Sequence, residues 1–235
     1  MNEKRLKEFW NKEYKDPGMF GLSEGVSEAL PKFCRWLESE FGDDYFKQKL
    51  TVLDAGCGNG RNLLWMNEQF GVAGYGYDIS EEAIAQANRA KEKQPFGNRL
   101  TFAVRSLSAS ISLPDESVDI VFDLMSSHFL REEERVKFLS EISRVLKPAG
   151  MLLFKSFYKE GDRNAAKLIK EGSAGEKNAY IHPRMKVYEY VWDDAALAEA
   201  FGSQFIMRAK FASHKHNVRG KPGKRRSITC YFEKK

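Results

Sequence analysis

Cysteine is scarce in this 235-residue chain: Cys34, Cys57 and Cys230 are far apart, odd in number and form no C-x-x-C pair. That excludes a disulfide framework and a zinc ribbon, and it suits a reducing compartment such as the cytoplasm. Long apolar runs are missing too. The stretch 149–154 is among the longest, far short of the roughly 18 residues a membrane span needs, so no membrane partner is expected. The opening segment MNEKRLKEFWNKEYK is charged throughout and lacks the apolar core of a secretion signal, which again points to the cytoplasm. His182, His214 and His216 have no carboxylate or cysteine constellation around them, and no metal site is expected. Repeats and low-complexity linkers are absent. Aromatic residues are not scarce: they make up 13% of the chain, 17 of them Phe, more apolar surface than a disordered chain carries. The length suits one α/β domain with a substantial core.

The net charge of +5 is unevenly spread. From Arg208 onward ten Lys and Arg residues face Glu233 alone, which leaves the other 207 residues at −4. A mildly acidic body ends in a basic segment.

Residues 3–15 read as a helix with Leu6, Phe9, Trp10 and Tyr14 along one side, broken by Asp16-Pro17-Gly18. A second helix is predicted over 23–41, kinked or divided at Pro31. Thr51–Asp54 is a short apolar strand, then a glycine-rich turn and a helix over 60–70. Further strands are predicted at 72–77, 100–104, 118–124 and 151–157. They alternate with helices at 81–93, opened by Ser80 as N-cap, and 131–147, whose Phe138, Leu139, Ile142 and Leu146 stripe is core. Residues 159–192 look like an inserted lid. A helix from Asp193-Asp194 to Phe201 and two strands, near 204–212 and 226–233, complete the chain. One domain is expected: a helical cap over 1–45, a core over 46–158, the lid over 159–192, and a helix with a basic hairpin over 193–235. Alternating strands and helices imply a parallel sheet whose ligands bind beyond the strand C-terminal ends.

The turn reads Asp54-Ala-Gly56-Cys57-Gly58-Asn-Gly60-Arg61. A dinucleotide fingerprint would place Gly or Ala where Arg61 stands. Asp54, two residues before the first glycine, would repel a pyrophosphate and suits a ligand bearing an ammonium group. Asp78 ends the second strand, where a carboxylate can accept hydrogen bonds from both ribose hydroxyls, and Ile79 beside it offers an apolar face to a base. An amino-acid end, a ribose and a purine describe S-adenosylmethionine.

Asp54-x-Gly56-x-Gly58-x-Gly60 resembles motif I of the class I S-adenosylmethionine-dependent methyltransferases, and Asp78 matches their second motif. Leu113-Pro-Asp-Glu-Ser-Val-Asp119-Ile-Val-Phe and Arg144-Val-Leu-Lys-Pro-Ala-Gly150-Met-Leu-Leu are similar to the fourth-strand segment and the helix-to-strand segment after it. The resemblance covers about 50–157. It implies a seven-stranded sheet, order 3-2-1-4-5-7-6, the last strand antiparallel, with helices on both faces and an N-terminal helical cap. It also implies that Asp54, Gly56, Cys57 and Gly58 face the methionine part, Asp78 the ribose and Ile79 the adenine. One position departs from the pattern. Where the family usually has an acid for the adenine amino group, this chain reads Arg105-Ser106-Leu107, leaving the Ser106 hydroxyl and the Leu107 amide. Asp123, at the end of the fourth strand, is either a carboxylate beside the cofactor and acceptor or a solvated strand-end acid. His128 is either a general base or a packed histidine. Trp10 and Tyr14 either cap the cofactor or pack on the sheet.

Methyl transfer from a sulfonium needs alignment and exclusion of water more than a dedicated base. The chain lacks the [N/D]-P-P-[Y/F] turn of enzymes that methylate exocyclic or amide nitrogens, and lacks the Pro-Cys or Thr-Cys nucleophile of cytosine-C5 enzymes. A small-molecule acceptor is therefore expected, walled by the lid through Tyr158, Tyr180, His182, Arg184 and Tyr188. The alternatives are a nucleic-acid methyltransferase or binder using residues 213–226, and a non-catalytic cofactor-binding subunit. Polyamine synthesis on the same fold would want an acidic pocket. If the strand near 204–212 runs parallel to the first, the loop 213–226 overhangs the substrate mouth, and Lys221, Lys224 and Arg225 would steer an anionic acceptor inward.

Overall fold

The middle strands carry apolar residues on both faces, as a parallel sheet covered on both sides requires. In the computed structural model, which describes residues 3–18, 22–23, 25–213, 217–218, 221–222 and 225–235, these strands are β1 (Thr51–Ala55) and β4 (Val118–Leu124). β2 (Ala73–Asp78) and β3 (Leu100–Val104) lie beyond β1, and β5 (Leu146–Phe157) beyond β4. β8 (Phe205–Ser213) and β11 (Ser227–Lys234) complete a seven-stranded sheet of order β3-β2-β1-β4-β5-β11-β8. β11 is antiparallel to both β5 and β8, so β8 runs in the direction of β1. This is the expected class I methyltransferase sheet.

Alternation along the strands sorts the core into two faces. Val52, Ile120, Phe122 and Leu153 pack beneath α2 (Ala29–Phe41), α3 (Arg61–Phe70) and α4 (Glu81–Lys91). Leu53, Val121, Leu152 and Phe154 face α5 (Glu132–Val145) and α7 (Asp194–Phe201). Ser80 caps α4, its Oγ accepting from Ala83 N at 3.1 Å. Pro31 does not kink α2: it sits in the first turn, where a missing N–H costs no helical bond. β5 begins earlier than expected because its backbone stays extended through Pro148 and turns at Ala149, φ 59°.

The segment 159–192 folds into α6 (Arg163–Glu171) and the hairpin β6 (Ala179–Ile181) with β7 (Tyr188–Tyr190). Tyr180, Tyr188 and Trp192 are fully buried, and the Trp192 ring meets Phe154 edge-on at 5.3 Å. The segment is thus part of the core rather than an overhanging lid. A short pair, β9 (Asn217–Val218) and β10 (Lys221–Pro222), lies between β8 and β11. The helix α1 (Glu3–Lys15) crosses to α4 and is placed by the site described next. Among the described residues no helix is long and apolar enough to cross a membrane.

Candidate functional site

β1 ends at Ala55 and the chain turns sharply, with Gly56 at φ 80° and Gly58 at φ 55°. Both lie in the left-handed region that L side chains avoid. A Cβ on Gly56 would meet the Ser126 side chain, and one on Gly58 would meet the Tyr14 hydroxyl. The turn is tied to the end of β2. Gly56 N and Cys57 N both donate to Tyr77 O, at 2.7 and 2.9 Å, and Gly58 N donates to Asp78 Oδ2 at 2.8 Å. Asp78 Oδ1 accepts from Ser80 N at 2.8 Å. One carboxylate therefore fixes both the glycine turn and the entry to α4.

Above this turn opens a cavity with about 890 Å³ of atom-free space, mouth included. Gly56, Cys57, Gly58, Asp78 and Ile79 line its floor, and Ser106 and Leu107 line the side at the end of β3. The Ser106 hydroxyl lies 2.8 Å from that of Ser108. The wall at the end of β4 is Leu124, Met125 and Ser126, with Met125 at φ 66°. The helix α1 forms the roof. Its Leu6, Trp10 and Tyr14, spaced by four residues, all line the cavity, and the Trp10 ring meets Phe129 at 5.5 Å. Asn11 Oδ1 accepts from Ser80 Oγ at 2.8 Å and Glu82 N at 3.2 Å, and Gln86 Nε2 donates to Tyr14 O at 2.8 Å. Those bonds anchor the roof on α4. Burial, followed by the charge of Asp78, raises the Tyr14 pKa, so its hydroxyl stays neutral.

Two carboxyls lie below the lining. Asp54 is 1% exposed with Oδ2 lacking a hydrogen bond; burial pushes its pKa up to about 7, Arg61 pulling the other way. Asp123 is fully buried, accepts from Ser127 N at 3.0 Å through Oδ1, and leaves Oδ2 without a hydrogen bond. Burial pushes it up to about 6. Asp123 is thus neither a solvated strand-end acid nor part of the cavity surface. His128 is buried as well, its ring 4.0 Å from Phe129 and 5.1 Å from Phe157, and it does not line the cavity.

The expected acceptor wall is elsewhere. Tyr158 is buried and donates to Asp194 Oδ1 at 2.7 Å, and Arg184 is exposed on the turn between β6 and β7. Neither lines the cavity. The rim expected from 213–226 rests largely on 214–216, 219–220 and 223–224, outside the described residues, as are Lys224 and the side chain of Lys221. Arg225 is described and is no rim cation: it pairs with Asp162 at 3.3 Å and Glu189 at 3.6 Å under the insertion. Among the described residues, which exclude His214 and His216, no group of three or more His, Cys, Asp or Glu is placed to hold a metal ion.

A family model described as a methyltransferase domain matches residues 53–154. The chain is 28% identical over 144 residues to 27-O-demethylrifamycin SV methyltransferase of Amycolatopsis mediterranei, covering 61% of this chain and 49% of that protein. It is 26% identical over 156 residues to phosphoethanolamine N-methyltransferase of Plasmodium falciparum, covering 63% and 54%. A SAM-dependent methyltransferase structure from Methanosarcina mazei superposes with a TM-score of 0.70 at 20% identity, over 82% of this chain and 95% of that one. The family-model match, these relatives and the shared fold support a class I S-adenosylmethionine-dependent methyltransferase family for the chain. The chain spans about half the length of these curated relatives.

Within that family frame, the glycine turn, Asp78, Ile79, Ser106 and Leu107 come together around one cavity, as the motif spacing implies. Sequence reasoning missed Arg61, Asn62, Met125, Ser126 and Phe129 as lining. Arg61 carried a signal, standing where a dinucleotide site would have glycine. The 124–126 segment carried none, because its place depends on the turn at Met125.

Proposed function

We propose that this chain binds S-adenosylmethionine in the cavity over the glycine turn and transfers its methyl group to a small-molecule acceptor. The observation that carries the reading is the roofed cavity itself, closed by α1 over a floor that only glycine backbone permits. The residues present fit the cofactor. Asp54 Oδ2 and Asp123 Oδ2 are buried acceptors without hydrogen bonds close to the turn, and a cationic ligand in the cavity would favour their ionised forms. When bound, S-adenosylmethionine supplies an electrophilic methyl on a sulfonium.

Asp78, with one backbone N–H already on each oxygen, keeps lone pairs for two ribose hydroxyls. Ile79 and Leu107 offer apolar contact to the base, and Ser106 one hydroxyl. Trp10 and Tyr14 exclude water from the site, which strengthens each electrostatic contact in it. Met125, Ser126 and Phe129 form the wall facing the acceptor. No base is assigned: Asp123 and His128 are both buried away from the cavity surface, and a sulfonium methyl can be taken by a well-aligned nucleophile. Both curated relatives are named for small-molecule acceptors, which supports the same class here.

Titration with S-adenosylhomocysteine, followed by turnover against small acceptors and RNA, tests the reading. Binding that Asp78→Ala reduces at least about tenfold, with turnover on a small acceptor, is expected. Turnover confined to RNA would replace the acceptor class. Binding without turnover on any acceptor would favour a non-catalytic subunit.

A further inference from the structure

On the α2 side of the sheet lies a second cavity with about 760 Å³ of atom-free space. The first turn of α2 and the Trp36 ring form one wall, and the sheet at Lys155, Thr229 and Tyr231 forms the other. Ser213 and Ser227, where β8 ends and β11 begins, stand at its rim.

Lys155 is unusual for its position. It lies in the interior strand β5, between Leu124 of β4 and Thr229 of β11 in register, with no acid among its register partners. Among the described residues its ammonium makes no hydrogen bond and no ion pair within 4 Å. Half-buried lysines without a partner are rare, because desolvating a charge costs free energy that a counter-ion normally offsets. Burial lowers the Lys155 pKa, the nearby cations Arg61 and Lys32 lower it further, and the exposed acid Glu28 opposes them. Lys32 likewise makes no ion pair among the described residues, and Arg61 spends its guanidinium on Gly25 O. Lys155 and Lys32 against Glu28 leave the charged lining of the cavity net positive.

The two cavities are adjacent. Leu124, the register partner of Lys155, lines the first one, and Met125 of the same wall donates its N–H to Lys155 O at 2.8 Å. Neighbouring strands lie about 4.8 Å apart, so a small molecule can span the step. Arg61 lines the first cavity and acts on Lys155 in the second.

We propose that the second cavity holds an anionic group of the acceptor, a phosphate- or carboxylate-type oxyanion paired with Lys155 and flanked by Lys32, while the acceptor's reacting atom reaches the first cavity past Leu124 and Met125. This rests on the methyltransferase reading and adds the substrate's charge and the place that reads it. The cation set differs from the rim expected from the sequence: it is built on α2 and β5.

Calorimetric titration of the full chain, saturated with S-adenosylhomocysteine, with inorganic phosphate and separately with acetate tests the assignment, the two arms distinguishing the oxyanion types. At least one anion is expected to bind. Lys155→Met should weaken it about tenfold or more, as loss of a charge-assisted hydrogen bond implies, and Lys32→Met by a smaller factor, whereas Lys155→Arg should retain most of it. S-adenosylhomocysteine affinity should be unchanged in all three variants. Should Lys155→Met fail to bind S-adenosylhomocysteine, the Lys155→Arg and Lys32→Met pair decides: equal anion affinity in both overturns the subsite. Absence of anion binding in the wild type, or anion binding insensitive to Lys155, overturns it while leaving the methyltransferase reading intact. Failure of the wild type to bind S-adenosylhomocysteine removes that reading instead. A short single-stranded RNA that binds more tightly than either anion and depends on Lys155 would overturn the small-acceptor class.

Discussion

Asp78 holds two backbone donors at once, Gly58 N and Ser80 N, so it fixes a turn before it touches any ligand. Asp78→Ala leaves both donors buried without an acceptor and is expected to cost about 1–3 kcal/mol of stability in urea denaturation, with S-adenosylhomocysteine binding lost alongside. Asp78→Asn keeps one carbonyl acceptor and should lie between. Burial raises the pKa of Asp54 and Asp123 as it raises that of Asp78, but each of these two has a carboxylate oxygen with no hydrogen bond. A carboxyl whose folded pKa exceeds its unfolded value binds its proton more tightly when folded. Its penalty on stability is absent below about 4, grows with pH, and is complete above about 7 for Asp54 and about 6 for Asp123. Asp54→Asn removes that penalty. Relative to wild type it should gain more stability at pH 8 than at pH 5, measured as the difference in Tm; a difference flat with pH would contradict the buried ionisation. The spacing of Asp54 and Asp78 about the glycines was legible in the sequence. Their unequal exposure was not, since β1 and β2 had first to be laid side by side.

At the scale of elements, α1 shows what periodicity can and cannot say. The Leu6, Trp10, Tyr14 stripe is plain in the sequence. What it faces is decided by Asn11, which closes the N-terminus of α4, and by the Lys7–Glu81 pair at 2.6 Å. Asn11→Ala removes an acceptor shared by Ser80 Oγ and Glu82 N and should cost about 0.5–2 kcal/mol. Because α1 is the roof, the same change should speed S-adenosylhomocysteine release several-fold in stopped-flow measurements, leaving the sheet's cooperative unfolding two-state. Trp10→Ala should weaken binding about tenfold at little cost in stability, since Trp10 covers the cavity rather than the core. Equal losses in both would show that α1 packs as core. Element limits were legible wherever a cap or a breaker marked them, as at Ser80. At Pro31 the rule that proline kinks helices gave way to its tolerance in a first turn.

At the scale of the whole molecule, the basic end illustrates how a cluster in sequence disperses in space. Arg208 pairs with Glu233 at 2.9 Å, Lys210 with Asp194 at 3.0 Å and Lys234 with Glu116 at 3.6 Å, because β8 and β11 carry them across the face of an acidic body. Arg225 travels furthest from its expected role. Its guanidinium lies 4.1 Å from the Phe157 ring centre, bonds the Tyr180 hydroxyl, and faces the buried acids Asp162 and Glu189. Asp162 also caps α6 through Ala165 N at 2.9 Å and accepts from Arg226 N at 2.9 Å, so one carboxylate joins the insertion to the start of β11. Arg225→Met would leave two buried carboxylates facing no cation. Breaking a buried pair from one side typically costs about 3–5 kcal/mol. That loss should appear as a lower urea midpoint with S-adenosylhomocysteine affinity nearly unchanged, because none of these groups lines the first cavity. A lysine at 225 can reach one carboxylate but cannot span both, and Arg225→Lys should recover only part of the loss. The rim role expected from the sequence demands the reverse: weaker acceptor binding at undiminished stability. Measuring both quantities on Arg225→Met separates a cation that steers substrate from one that fastens the insertion to the sheet.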